Sequence, residues 1–316
     1  MANSEDRVWD VVVVGGGAAG LSAGLTLARA RRAVVVIDSG APRNAPAAAV
    51  HGLLGLDGTP PAELLARGRA EVQSYGGRLA VGEVAAVVRD GAHFAATLRD
   101  GSTVRGRHLL IASGLVDELP DIPGVAERWG RDVVHCPYCH GWEVRDRAIG
   151  VLATSPMAVH QTLLFHQWSR GVRLFANDQA IPAADRATLV ALNIPVVEGS
   201  VAGLQIDDGR LRGVRLGDGT VHDVEAVAVA TRMVARTQPF AGLGIEPTAH
   251  PMGSFIQADE AGRTSVAGVW VAGNATNLAA QVGAASAQGV WVAAQINADL
   301  IMQDADRAVS VMASVR

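Results

Sequence analysis

Asp10-Val11-Val12-Val13-Val14-Gly15-Gly16-Gly17-Ala18-Ala19-Gly20 is a short apolar run that ends in a glycine-rich turn. The residues that follow, Leu21 to about Ala30, predict a helix. A second apolar run, Ala33 to Ile37, closes on Asp38. Together they make a strand–turn–helix–strand unit with an acid 18 positions beyond the last glycine. A GxGxxG pattern in that setting predicts a dinucleotide site, against the blander reading of an ordinary glycine-rich βα turn. Gly15 lets the chain turn tightly, Gly17 lets the backbone approach a pyrophosphate, and Gly20 lets helix and strand pack closely. The helix start, with Ala18 and Ala19 in its first turn, offers N–H groups and partial positive charge to the phosphates. Asp38 is placed to accept hydrogen bonds from ribose hydroxyls.

Further along, residues 78–111 alternate apolar and polar, with turns at Asp90-Gly91 and Asp100-Gly101, which predicts a small antiparallel insert. It closes on a buried strand that runs into Ala112-Ser113-Gly114. Asp117 to Gly124, with two prolines, reads as a linker. A second βαβ pattern starts near Ala148, with a strand over Ile149–Leu152, a helix over Ala158–Trp168 and a strand over Gly171–Phe175. Hairpin-like strands follow at 194–229. Val269-Trp270-Val271-Ala272-Gly273-Asn274 is a strand leading into a turn, and Gln281 to about Met302 predicts a long helix.

The composition suits this layout. Of 316 residues, 49% are hydrophobic but only 4% aromatic, with abundant Ala, Val and Gly, as buried parallel sheets require. The net charge of −4 carries no basic stripe, which argues against nucleic acid as a partner. No apolar run reaches the roughly 18 residues of a membrane span. The start, Met1 to Trp9, is polar and unlike a secretory signal.

There are two cysteines, three apart, in His135-Cys136-Pro137-Tyr138-Cys139-His140. Such a pair switches between dithiol and disulfide with little chain movement. So few cysteines point to a cytoplasmic location. Zinc is an alternative, but structural zinc draws its ligands from two separated pairs, so no metal is expected. A purely structural disulfide would close a trivial loop. His140 titrates near neutrality and is the candidate general base/acid for the thiols, against the alternative of a structural helix-terminal histidine. His135 reads as a neighbour.

In this order of motifs the chain resembles the low-molecular-weight thioredoxin reductase family of flavoproteins. The resemblance implies an α/β fold of two Rossmann-like, three-layer ββα dinucleotide-binding domains. Residues 1–117 and 239–316 would form the FAD domain, 118–238 an inserted NADPH-type domain carrying the CxxC, and the whole a homodimer. By resemblance Gly15, Gly17, Ala18, Ala19, Gly20, Asp38 and Ser39 hold the ADP half of FAD. Arg43 and Asn44 continue around the flavin, and Ala112, Ser113 and Gly114 match the family's Ala-Thr-Gly. Gly273 and Asn274 match its Gly-Asp, and Gln281 its flavin-side Gln. Cys139 would face the flavin and Cys136 would exchange with substrate.

The chain departs from that family at the nicotinamide loop. Ala153-Thr154-Ser155-Pro156-Met157-Ala158 replaces GxGxxA, and Phe175-Ala176-Asn177 replaces the basic grip on a 2′-phosphate. NADPH binding is therefore expected to be poor or absent. His140, directly after the second cysteine, stands where the reductases carry Asp. The run Cys-Pro-Tyr-Cys-His-Gly-Trp-Glu resembles the dithiol oxidase subgroup, of the gliotoxin, holomycin and romidepsin type. That resemblance implies oxidation of a small-molecule dithiol, holomycin-like as the best single guess, with electrons passing through CxxC and FAD to O2. Two alternatives stand beside it: a thioredoxin reductase driven by NADPH, ferredoxin or another flavin, and a non-catalytic FAD-binding redox sensor.

Overall fold

The computed structural model describes residues 7–314; the polar start Met1 to Asp6 lies outside them. In chain order the first stretch runs β1 (Val8–Val14), α1 (Ala18–Arg29), β2 (Val34–Asp38), α2 (Pro61–Ser74), β3 (Arg78–Val81), β4 (Val84–Asp90), β5 (His93–Leu98), β6 (Thr103–Ile111) and β7 (Leu115–Glu118). The middle stretch runs α3 (Val125–Arg128), β8 (Val133–Val134), α4 (Pro137–His140), β9 (Ile149–Leu152), α5 (Ala158–Phe165), β10 (Val172–Phe175), α6 (Ala183–Ala191), β11 (Val196–Val197), β12 (Val201–Asp207), β13 (Arg210–Leu216), β14 (Val221–Asp223) and β15 (Ala226–Val229). The last stretch holds β16 (Arg232–Ala235), β17 (Thr248–His250), β18 (Gly253–Phe255), β19 (Val269–Val271) and α7 (Val282–Ser314).

The chain divides into two Rossmann-like units. The first gathers the described residues up to Ala45, Pro61–Val116 and those from Met233 on; the second gathers Pro46–Pro60 and Asp117–Arg232. In the first, β3-β2-β1-β6 form a sheet, and the far side of β6 is shared by β19, parallel, and by β5, antiparallel, with β4 antiparallel beyond β5. The run of valines in β1 is buried on both faces. Val12 and Val14 pack with Phe94, Leu109 and Ile111, while Val11 and Val13 pack with Leu27, Leu110, Val292 and Ile296. The second unit repeats this plan with β11-β10-β9-β15-β8 and carries a separate β12-β13-β14 meander.

Several expectations need correction. β3 is not part of an antiparallel insert; it pairs parallel with β2, after a crossover through α2, an element the sequence reading left unassigned. β6 ends the insert and is also a central parallel strand beside β1 and β19. β15 likewise leaves the hairpin region and joins the parallel sheet. The 117–124 linker begins inside β7, where Asp117 accepts a hydrogen bond from the Thr231 hydroxyl at 2.7 Å. The last helix runs on to Ser314, past the expected end near Met302. Pro46–Pro60, placed in the first domain from the sequence, groups with the second unit.

Candidate functional site

In the first unit the strand register brings the predicted residues together. Val14 lies level with Ile37 of β2 and Ile111 of β6, and Val271 of β19 is level with Ile111. Gly15, Asp38, Ala112 and the Ala272-Gly273 pair therefore emerge along one edge, the carboxyl ends of four parallel strands, where open α/β sheets bind ligands. Gly15 has a φ of +110°, and a Cβ there would meet the Ala112 carbonyl oxygen at 2.2 Å. A Cβ on Gly20 would lie 1.8 Å from the Gly15 carbonyl oxygen. At Gly17, by contrast, an added Cβ would enter open space. Two glycines thus serve packing, and the third keeps a cradle clear above the α1 start. No side chain caps that helix and no acid sits in its first turn, so its first N–H groups face the cradle.

Asp38 Oδ1 accepts the Gly16 N–H at 3.1 Å, which fixes the carboxylate beside the turn. Ser39 is exposed just after it, and Arg43 and Asn44 are half-buried further along the same loop. The Ser113 hydroxyl donates to the Arg236 carbonyl at 3.2 Å, and Gly114 takes a φ of +66°. Gln281 is exposed, and its carbonyl accepts the Ala285 N–H as α7 begins.

Two residues here escaped the sequence reading. The Gly273 N–H donates to Gln288 Oε1 at 2.9 Å, and a Cβ on Gly289 would meet the Ala19 carbonyl oxygen at 2.1 Å. Both lie on α7, and packing between α1 and α7, so far apart in the chain, has no local signature. Asn274 also gains a role: its amide donates to the carbonyls of Asn277 at 3.1 Å and Ala280 at 2.8 Å, and points at that of Leu278 at 3.4 Å. A carboxylate could not make these bonds. Asn274→Asp is expected to loosen this loop and weaken FAD retention by about tenfold or more, measured as flavin released on ultrafiltration.

The CxxC belongs to the second unit. β8 pairs parallel with β15, so His135 and Cys136 leave the carboxyl edge of that unit's sheet. Cys136 is extended, Pro137 opens the one-turn α4, and the Cys139 and His140 N–H groups both bond the Cys136 carbonyl, at 3.2 and 3.1 Å. Both cysteines are half-buried, and Tyr138 between them is exposed, its ring edge-on to Trp168. A Cβ on Gly141 would strike the Pro137 carbonyl oxygen at 2.4 Å, so the turn after His140 requires glycine. His135 is held on both sides: its carbonyl accepts from Gln161 Nε2 at 2.7 Å and its Nδ1 meets the Val229 carbonyl at 3.2 Å.

His140 Nδ1 is buried without a hydrogen-bond partner among the described residues. Burial pushes the imidazole below its ordinary 6.5; the Glu143 charge pulls it back up, and His51 and His135 add to the lowering. At neutral pH the ring is therefore held in its neutral, proton-accepting form.

At the nicotinamide-type edge of this unit several polar groups are held by its own residues. The Ser155 carbonyl accepts the Ala158 N–H at 3.1 Å and its hydroxyl accepts the Met157 N–H at 3.2 Å, which occupies donors at the start of α5. The Thr154 hydroxyl donates across to the Ala230 carbonyl at 3.0 Å. Phe175 and Ala176 are buried, and Asn177 Oδ1 accepts the Val201 N–H at 2.9 Å. Asp178 follows, so this loop presents an acid where a 2′-phosphate would need a cation.

Residues 9–289 match the family model for pyridine nucleotide-disulphide oxidoreductases. The chain is 34% identical to thioredoxin reductase tcpT of Claviceps purpurea (strain 20.1), over 86% of this chain and 88% of that one. It is 30% identical to thioredoxin reductase aclD of Aspergillus oryzae (strain ATCC 42149 / RIB 40), over 84% and 88%. Among solved structures, HlmI superposes with a TM-score of 0.94 at 45% identity, covering 100% of this chain and 99% of that one. The chain belongs to the pyridine nucleotide-disulphide oxidoreductase family, as a thioredoxin reductase-like flavoprotein. The open cradle at Gly17, the uncapped α1 start and the pinned Asp38 fit FAD, the cofactor this family carries.

Proposed function

We propose that this protein is an FAD-dependent dithiol oxidase that closes an intramolecular disulfide in a small-molecule dithiol, with the balance R(SH)2 + O2 → R(S–S) + H2O2. The observation that carries this reading is the pairing of a CxxC beside a neutral-held His140 with a nicotinamide-type edge where Ser155 already takes the Met157 N–H and Asn177 Oδ1 is spent on the Val201 N–H. Bound FAD would accept two electrons from the Cys136–Cys139 dithiol and pass them to O2. Its holders are the first-unit residues Gly15, Gly17, Ala18, Ala19, Gly20, Asp38, Ser39, Arg43, Asn44, Ala112, Ser113, Gly114, Gly273, Asn274 and Gln281. Cys136 would exchange with the substrate, Cys139 would pass the electrons on to the cofactor, and His140 would take the thiol proton. Exposed Tyr138 and Trp142 offer aromatic surface to a compact substrate. The resemblance extends the reading to a holomycin-like dithiolopyrrolone, a homodimer and a cytoplasmic setting, with residues 118–238 as the inserted domain. Exposed Val290, Trp291, Val309 and Met312 on α7 supply apolar surface for a second copy.

The names of tcpT and aclD favour a second reading, a thioredoxin reductase. One experiment separates the two. The yellow protein is mixed anaerobically with NADPH and, separately, with a small dithiol; flavin bleaching is followed, oxygen is admitted and peroxide is measured. Bleaching by dithiol and not by NADPH, then one peroxide per flavin, is the expected result. Rapid bleaching by NADPH with none by dithiol overturns the oxidase reading.

A further inference from the structure

We propose that His51, carried on the Pro46–Pro60 loop, is a positioning residue for His140: through Glu143 it holds, and then discharges to solvent, the proton that His140 takes. The inference rests on the oxidase reading for its chemistry. Its geometry lies wholly within the second unit.

The loop is built to present one side chain. Val50 and Thr59 close its base as an antiparallel bridge, with the Val50 N–H on the Thr59 carbonyl at 2.8 Å and the Gly58 N–H on the Val50 carbonyl at 2.9 Å. Asp57 clips the interior: its Oδ1 accepts the Gly52 N–H at 2.8 Å while its Oδ2 lies 3.5 Å from His51 Nδ1. The other ring nitrogen, Nε2, lies 3.5 Å from Glu143 Oε1. His51 is thus flanked by two exposed carboxylates, Glu143 on the CxxC side at 42% and Asp57 further out at 66%. Glu143 stands three residues after His140, and the Val144 N–H bonds the His140 carbonyl at 3.3 Å, so the turn brings Glu143 to the His140 side. The charged groups that face His140 are Glu143 from its own turn, His51 from the loop, and His135 from the end of β8.

The reaction needs such an outlet. The first substrate thiol attacks the Cys136–Cys139 disulfide: an S–S bond forms to Cys136, the Cys136–Cys139 bond breaks, Cys139 leaves as thiolate, and one proton goes to a base. The second thiol attacks the substrate sulfur bonded to Cys136, closing the substrate disulfide and releasing Cys136 as thiolate with a second proton. Two protons leave the substrate thiols in this half-reaction, to be taken up again when the electrons reach O2 and form H2O2, and one imidazole holds one at a time. A carboxylate–imidazole–carboxylate chain from His140 to the surface empties it between the two steps.

The test uses FAD-loaded, full-length protein with His51→Gln and Glu143→Gln, folding being verified by flavin content. The titration of His140 is followed by NMR of 13C-labelled histidine, its signal assigned with His140→Ala. Removing the Glu143 charge should move the His140 midpoint down, and removing His51 should move it up, each by about half a pH unit or more. Anaerobic flavin bleaching by dithiothreitol should slow about tenfold in His51→Gln, with its pH profile displaced in the same sense as the titration. Midpoints unchanged in both variants, or displaced in the same direction, overturn the relay. If dithiothreitol fails to bleach the wild-type flavin while the opposed shifts stand, the oxidase reading falls and the His51–Glu143 coupling is upheld.

Discussion

Replacing Cys136 by serine is expected to leave a yellow protein with no turnover. In the proposed reaction a bond forms between substrate sulfur and Cys136, and only a sulfur can form and release it by thiol–disulfide exchange. A serine hydroxyl offers neither a disulfide to attack nor a leaving group of thiol acidity. Cys139 alone cannot substitute: without its partner there is no enzyme disulfide for the first thiol to attack and no mixed disulfide for the second to resolve. We expect oxygen consumption with a dithiol to fall by at least about 10³-fold. Flavin content should match the wild type, since the residues assigned to FAD lie in the other unit. Peroxide formation above a few per cent of wild type would remove Cys136 from the reaction.

His140→Ala is expected to produce the second largest loss, about 10²- to 10⁴-fold in the rate of anaerobic flavin reduction by dithiol. The pH dependence identifies the cause. Burial, only partly offset by Glu143, holds the imidazole below 6.5, so the neutral base persists at mildly acidic pH. The wild-type rate should fall on acidification through a midpoint below 6.5, and His140→Ala should lack that limb. Stability carries the same sign. Around pH 6.5 the unfolded chain takes up a proton that the folded chain does not, so folding stability declines as pH drops through that value and levels off below the folded midpoint. His140→Ala should flatten that decline in denaturant titrations. A variant whose acid limb coincides with the wild type would assign the base elsewhere.

Much of this architecture was legible from single residues. Gly15 and Gly20 announce the turn because the backbone geometry there admits no Cβ, a local constraint that leaves a local mark. The valines of β1 and β2 announce strands buried on both faces. β3 was misassigned because a four-residue strand at a sheet margin, with partly exposed side chains, alternates like a hairpin strand. The extra turns of α7 were missed because Gln303 to Ser314 is largely exposed and mixes polar with apolar residues.

The sequence by itself determined the two dinucleotide-type units, the CxxC, the histidine beside it and the loss of the nicotinamide glycines. Each of these is a requirement of covalent geometry or residue chemistry within a few positions. Tertiary structure alone decided what those residues face. It set the Asn274 amide against a loop of carbonyls, spent Asn177 on the backbone of β12, and buried His140 Nδ1. It also carried His51 from a loop before α2 to within 3.5 Å of Glu143. Contacts between residues far apart in the chain depend on the register of sheets and the closure of loops, and no short stretch of sequence encodes them.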